Sequence, residues 1–213
     1  MTTVDIAASL SYGWVRGANS SFAIAQSTSE SSATNAIVVG VASPDLRIYR
    51  AFLKFDTSII GVDKTVTQAN IKMAFSTIYT NPGCDHQIVK YDWSGQDPIA
   101  AGNREAAYDG CLAADADDSI LVNTVGKAIN TYYTSGNLAT DWINKIGFTY
   151  YGLRTNLDYG QSDWTFNSNR DIFYAPGHAT YPPVLTVTYT EAGGLHRINM
   201  NAQMQSLNGG MHG

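Results

Sequence analysis

The chain has 213 residues, a formal net charge of -5, and 15% charged against 44% hydrophobic residues. This composition excludes a disordered chain, and the length suits one β-sandwich or barrel domain with its own core. No Lys/Arg cluster is present to meet phosphates, so we expect no nucleic-acid partner. No apolar run approaches the ~18 residues of a membrane span, so we expect no membrane insertion.

Period-two alternation of side chains predicts most of the secondary structure. The clearest strand runs from Tyr49 to Phe55, with Arg50, Phe52 and Lys54 on one face and apolar residues on the other. We interpret it as a half-buried strand. In chain order, the predicted strands cover residues 22–25, 37–41, 49–55, 69–75, 88–91, 146–150, 164–166 and 185–189.

One helix is predicted in residues 122–136. Val122, Val125 and Ile129 fall at helical spacing, and Gly136 follows as a stop signal. A single helix among many strands does not fit alternating β and α units. The predicted fold is therefore all-β: a jelly-roll-like antiparallel β-sandwich with one short helix and an extended C-terminal arm.

The last residues differ in composition from the rest. We divide the chain into a sandwich domain, residues 1–191, and a Gly-rich C-terminal arm, residues 192–213, which lacks the apolar content to fold alone. An arm of this kind suits contacts with a neighbouring subunit. Its predicted anchoring residues are Leu195, Ile198, Met200, Met204 and Leu207.

The two cysteines, Cys84 and Cys111, each follow a turn-rich stretch. Either they form one disulfide across the long connection between them, or they are two unrelated thiols.

The densest acidic cluster consists of Asp115, Asp117 and Asp118, with Asp109 nearby. Oxygen ligands at alternating positions suit a structural calcium ion, although the cluster lacks the Gly and Glu of an EF-hand loop. The alternative is a solvated acidic turn.

Exposed tryptophans can stack on sugar rings, and three of them lie in loop-like or strand-edge contexts. Trp93, between Asp92 and Ser94, is the first candidate for a glycan-binding residue, followed by Trp14 and Trp142. For each of them the alternative is a place in the core.

No catalytic motif is present: we find no nucleophile elbow, phosphate loop or zinc-protease spacing. The four histidines are scattered in the sequence. We find none that pairs with another His or Cys at the spacing of metal ligands, so no zinc site is expected. Asp56, Asp92 and Asp171 are interpreted as turn and strand-end residues rather than as the acid and base of a glycosidase. We therefore expect a protein that is not an enzyme and, calcium aside, needs no cofactor.

Residues 49–58 (YRAFLKFDTS) and 66–73 (VTQANIKM) resemble the Arg…Leu-x-Phe-Asp…Val-x-x-Ala-x-Leu hairpin of DNRLRE-type domains, relatives of jelly-roll carbohydrate-binding modules. The predicted helix, a Phe-x-Ser turn at 166–168 and a closing strand at 183–189 follow in the same order. The resemblance implies a jelly-roll sandwich. Such domains occur as sugar-binding modules of secreted enzymes, in cell-surface proteins, and in structural proteins of phages and other viruses.

The first functional hypothesis is a structural protein of a virion, such as a bacteriophage capsid decoration or tail-associated subunit. Residues 1–10 do not resemble a secretion signal, and the arm suits assembly with copies of itself and other virion subunits. The alternative is a carbohydrate-binding module of a secreted or cell-surface protein, which needs no arm. Both place the chain on a virion or outside the cell, and surface glycans are ligands under either.

Overall fold

Antiparallel strands are the main secondary structure of the chain in the computed structural model. The structure describes residues 1–10, 12–19, 21–33, 36–42, 46–78, 83–159 and 169–191, with only the backbone for 30–32, 118–120 and 169. The strands are β1 (Thr2–Ala7), β2 (Gly13–Asn19), β3 (Ser29–Ala33), β4 (Ile37–Ala42), β5 (Leu46–Asp56), β6 (Lys64–Thr77), β7 (Asp85–Val89), β8 (Ala116–Asn123), β9 (Tyr132–Thr134), β10 (Phe148–Thr155), β11 (Asn169–Phe173) and β12 (Val184–Glu191). The helices are α1 (Phe22–Ser27), α2 (Arg104–Ala113) and α3 (Asn156–Tyr159), with 3₁₀ turns at Ser58–Ile60, Ser94–Gln96 and Thr140–Trp142.

The strands form one hydrogen-bonded sheet that folds onto itself. Its order is β1-β12-β6-β11-β4-β5-β10-β7-β8, with β2 between β3 and β5 and with β9 on β6. Strand β6, 14 residues long, joins the two layers because it pairs with β12 along most of its length and with β11 at its end. The predicted all-β antiparallel sandwich is confirmed. The arm, residues 192–213, lies outside the described residues.

The core between the two layers consists of alternate residues of the strands, as the period-two pattern predicts. Fully burying an aliphatic or aromatic side chain of this kind stabilises the fold by about 1.5–3 kcal/mol. The side chains with no exposed surface in this core include Leu53, Phe55, Ile71, Met73, Phe75, Leu153, Leu185 and Val187.

Strand β5 is buried on both faces, although its sequence predicts a half-buried strand. Leu53 and Phe55 face the core between the layers, as predicted. Phe52, on the opposite face, is equally buried because α1 and α2 cover that side of the sheet. The alternation is therefore confirmed, and the expected exposure of the second face is wrong.

A second core lies between the sheet and the helices α1 and α2. The helices come close to the sheet at Gly17, where a Cβ atom would lie 2.0 Å from the Ala25 carbonyl oxygen and 2.6 Å from the Tyr108 hydroxyl. A side chain at position 17 would therefore force the helices away.

No helix in the described part of the chain is long and apolar enough to cross a membrane.

Helix α1 replaces the strand predicted at residues 22–25. Phe22 and Ala25 lie about one helical turn apart and are both buried against the sheet, whereas Ile24 is 48% exposed. The four-residue window also fits period two, and the packing of one helical face decides the conformation.

The helix predicted in residues 122–136 is wrong. The chain leaves β8, forms a loop and enters β9, with Gly126 at φ 68° and Asn130 at φ 60°. These left-handed conformations do not continue a right-handed helix. Val125 and Ile129 are 62% and 46% exposed, so their helical spacing does not mark a buried face.

A fully buried arginine, Arg50, lies on the helix-covered face of β5. Its guanidinium forms a two-pronged ion pair with Asp158 of α3, at 2.6 Å from Nε to Oδ2 and 2.8 Å from Nη2 to Oδ1. It also donates to the carbonyl oxygens of Tyr108 in α2, at 2.8 Å, and Gln26 in α1, at 3.1 Å. One side chain of the sheet thus holds all three helices.

We expect Arg50→Met to lower the free energy of unfolding by about 3–5 kcal/mol, because it leaves the buried Asp158 carboxylate without its cation. The double variant Arg50→Met/Asp158→Leu removes both charges and should recover most of this loss. Urea denaturation followed by tryptophan fluorescence measures both values.

The matched control is Lys72→Met, in the partly exposed ion pair with Asp5, where Nζ lies 2.7 Å from the carboxylate. Its expected cost is below about 1 kcal/mol. The role of Arg50 in holding the helices is contradicted if Arg50→Met and Lys72→Met lose the same free energy of unfolding. It is also contradicted if the double variant is as unstable as Arg50→Met.

Candidate functional site

The first half of β10 has one edge that β7 does not pair. Strand β10 pairs with β5 from Phe148 to Leu153, but with β7 only from Gly152 to Thr155. The segment before β10 covers this edge: Trp142 donates its indole N–H to the Tyr150 carbonyl oxygen at 2.8 Å. The edge therefore holds a partly exposed tryptophan in a fixed orientation.

Three aromatic side chains line one pocket at this edge, and we call them the aromatic shelf: Trp142, Phe148 and Tyr150. Trp142 also packs against the core between the layers. Phe148 and Tyr150 are two residues apart in β10 and so share a face, with ring centroids 6.4 Å apart. Phe148 is 38% exposed. With Asp92 and Asn144, the shelf lines a shallow pocket of about 120 Å³.

Polar groups border the shelf. Lys54 lies opposite Tyr150 in the β5–β10 register, with its Nζ 4.4 Å from the Phe148 ring centroid and 2.5 Å from the Asp97 carboxylate. Burial, together with the nearby Asp97 charge, raises the pKa of Tyr150. The Tyr150 hydroxyl therefore keeps its proton at neutral pH and can donate a hydrogen bond.

Of the three predicted glycan-binding tryptophans, the structure places only Trp142 at the shelf. Trp14 packs edge-on against Tyr49, at 5.3 Å between ring centroids, in a separate small cluster. The expected exposure of Trp93 is wrong: it is 1% exposed, and its indole N–H lies 3.2 Å from the carbonyl oxygens of both Leu53 and Tyr151.

Sequence reasoning did not select Phe148 and Tyr150 for the shelf. The signal for them is their period-two spacing, which puts both rings on one face of the strand predicted at 146–150. That this face borders an edge that β7 leaves unpaired follows only from the pairing of β10.

The acidic cluster does not supply a described calcium site. Asp115 is exposed, and Asp117 accepts a hydrogen bond from the Ala139 amide at 2.8 Å. The side chain of Asp118 is outside the described residues. Among the side chains that the structure describes, three metal-binding atoms converge only at Cys84, His86 and Asp171.

The predicted alternative of a disulfide between Cys84 and Cys111 is wrong: both are free, buried thiols. The Cys84 sulfur lies 3.5 Å from the Asp171 carboxylate, whereas the Cys111 sulfur lies 3.8 Å from the Leu153 carbonyl oxygen. Burial raises the pKa of Cys84 and raises that of Cys111 to about 12. Both thiols are therefore protonated and shielded at neutral pH.

The prediction that no histidine has a cysteine partner at metal spacing is also wrong, because Cys84 and His86 are two residues apart and the Cys84 sulfur lies 3.8 Å from His86 Nε2. The predicted assembly residues lie outside the described residues: Leu195, Ile198, Met200, Met204 and Leu207.

The sequence matches no protein-family model, and a search of the curated proteins finds no similar protein. The resemblance to DNRLRE-type domains stays a prediction.

We expect both cysteines to react with iodoacetamide in denaturant without reductant, because neither sulfur is bridged. In the native protein, alkylation should be slow at both positions because both sulfurs are buried. Intact-mass spectrometry counts the labels. A chain that takes up no label in denaturant until a reductant is added would contradict the free thiols.

Proposed function

We propose that this chain is a non-catalytic β-sandwich module that binds carbohydrate at the aromatic shelf. The observation that carries the proposal is the pocket formed by Trp142, Phe148 and Tyr150 with Asp92 and Asn144. Flat aromatic rings cover the apolar faces of sugar rings, and a few polar groups at the margin bind the hydroxyls.

The size and rigidity of the pocket support this ligand class. Pockets for drug-sized molecules hold about 300–1,000 Å³, so a volume of about 120 Å³ suits a single sugar ring of a longer chain. Trp142 is held through its indole N–H. The backbone N–H of Asn144 donates to the Thr149 hydroxyl at 2.9 Å, and its side-chain amide donates to the Phe148 carbonyl oxygen at 3.3 Å. Groups held in this way lose little conformational entropy on binding.

The charges near the shelf support binding rather than catalysis. Two carboxylates lie near the shelf: Asp97, which Lys54 neutralises at 2.5 Å, and Asp92, which lines the pocket and accepts a hydrogen bond from the Ser94 amide at 3.0 Å. A glycosidase needs one carboxylic acid and one free carboxylate on either side of the scissile bond. Because Asp97 is paired with Lys54, it is not available as the protonated acid. Carbohydrate binding also agrees with the sugar-binding modules among DNRLRE-type domains, and with a location outside the cell or on a virion.

The test of the shelf is Phe148→Ala. Because Phe148 is 38% exposed, its removal spares the core and takes away one stacking surface. We expect about a tenfold weaker affinity, which corresponds to roughly 1.4 kcal/mol of lost contact. The ligand is first found by screening the full chain on an array of oligosaccharides and bacterial polysaccharides, and affinities are then measured by calorimetry.

The matched control is Tyr159→Ala, which removes a 58% exposed aromatic ring beyond the opposite end of β10. It should bind the selected glycan as the unaltered chain does. An array without a specific ligand, or equal losses in the two variants, would refute binding at the shelf.

A second candidate function is that of a structural subunit of a virion, which the sequence favours. Three exposed apolar side chains support it: Ile59, Val62 and Ile146 are 67%, 65% and 74% exposed. Their loops are joined by Lys145, whose Nζ lies 3.0 Å from the Val62 carbonyl oxygen. Apolar groups gathered on a surface mark sites of protein association.

Light scattering of the full chain, of a truncation after Glu191, and of Ile146→Asp tests this second function. Assembly with copies of itself predicts a discrete oligomer for the full chain and a smaller species for both variants. If all three are monomers at every concentration, self-assembly through the arm or the apolar loops is excluded, and carbohydrate binding remains.

A further inference from the structure

A buried cluster of three polar side chains lies at the other end of β10 from the shelf. Cys84 is 1% exposed, and His86 and Asp171 have no exposed surface. The atoms that face one another are the Cys84 sulfur, His86 Nε2 and one oxygen of the Asp171 carboxylate. Their separations are 3.8 Å from sulfur to nitrogen, 3.5 Å from sulfur to oxygen, and 2.8 Å from nitrogen to oxygen.

The sandwich holds these groups in place. His86 lies in β7 and Cys84 just before it, two residues away, while Asp171 comes from β11. The imidazole is fixed by the rings of Phe75 and Phe173, whose centroids lie 5.5 Å and 5.1 Å from its own. The three groups are therefore a preformed constellation on rigid strands rather than a loop cluster.

The arrangement is not that of a nucleophilic Cys-His-Asp triad. In such a triad one ring nitrogen faces the nucleophile and the other faces the carboxylate. Here both Cys84 and Asp171 contact the same nitrogen, His86 Nε2. The cluster is also closed to solvent, so no substrate reaches the sulfur.

We propose that Cys84, His86 and Asp171 bind one zinc-class divalent metal ion. Zinc bonds of about 2.3 Å to sulfur and 2.0–2.2 Å to nitrogen and oxygen would place tetrahedral ligands roughly 3.4–3.6 Å apart. Of the two distances that involve the sulfur, the 3.5 Å to Asp171 lies within this range and the 3.8 Å to His86 exceeds it by about 0.2 Å. Only the 2.8 Å contact between His86 and Asp171 has to open, by a fraction of an ångström.

The ligand set selects the class of metal. Calcium and magnesium prefer oxygen ligands alone, whereas thiolate and imidazole suit zinc and the late transition metals. As the metal binds, the thiol of Cys84 gives its proton to solvent, and the proton of the hydrogen bond between His86 Nε2 and Asp171 moves to His86 Nδ1 or to solvent. Thiolate and carboxylate then balance the two positive charges, which gives a neutral centre in an apolar surrounding. The fourth ligand is a water or a further residue.

On the side of the imidazole away from the cluster, two buried polar atoms are close to each other in the sheet. His86 Nδ1 and the hydroxyl oxygen of Thr155 have no hydrogen-bond partner within the described residues. Thr155 lies directly opposite His86 in the β7–β10 register. A metal-bound imidazole donates its other ring N–H to a neighbouring acceptor, and the Thr155 hydroxyl is the neighbouring group that can accept it from Nδ1.

The experiment uses the full chain, and its result does not depend on glycan binding. After removal of metals with a chelator, Co²⁺ is added as a spectroscopic substitute for Zn²⁺. We expect one Co²⁺ per chain with a thiolate-to-cobalt charge-transfer band. Zn²⁺ should displace it and, at about 100 times its Kd, raise the melting temperature by roughly 5–10 °C.

The decisive variant is Cys84→Ser, and the matched control is Cys111→Ser, which removes the other buried thiol. The first should lose the charge-transfer band and the thermal shift, and the second should keep both. Asp171→Asn replaces Cys84→Ser if that variant does not fold. The proposal is overturned if the unaltered chain binds no Co²⁺, if the bound ion shows no thiolate band, or if Cys111→Ser abolishes it.

Discussion

The interaction on which the architecture depends is the buried ion pair between Arg50 and Asp158. A guanidinium and a carboxylate are expensive to remove from water, and only mutual pairing with full hydrogen bonding makes their burial tolerable. The structure meets this condition at four of the five N–H groups of Arg50: two bind Asp158 and two bind the carbonyl oxygens of Gln26 and Tyr108. These bonds fix the position of the three helices on the sheet, and the second core lies between the sheet and the helices α1 and α2.

This helical cover also determines which surfaces remain for function. It buries Trp93, which packs edge-on against Phe52 and Tyr150 at 5.8 Å and 5.0 Å between ring centroids. Trp93 thus packs against the Tyr150 ring, and Tyr150 also lines the shelf pocket. Strand β10 carries the shelf at its start and lies beside the Cys84–His86–Asp171 cluster at its end, about 20 Å away by strand length. One rigid strand thus serves two unrelated sites.

Local sequence predicts the strands of the sandwich well where alternation is long. Residues 49–55, 69–75 and 185–189 all lie within confirmed strands, because seven or five alternating positions leave one regular conformation that buries one face. Short windows are ambiguous: residues 22–25 fit both periods and form a helix. The segment predicted at 164–166 lies outside the described residues.

What the sequence by itself determined is the all-β class and its longest strands. A long period-two alternation specifies both a strand and the face that it buries. Only the tertiary structure decided that Asp171, 85 residues after His86, joins the cluster, and that the two faces of β5 are both covered. The physical reason is that strand pairing and layer packing bring together residues distant in sequence, and no local pattern records which ones meet.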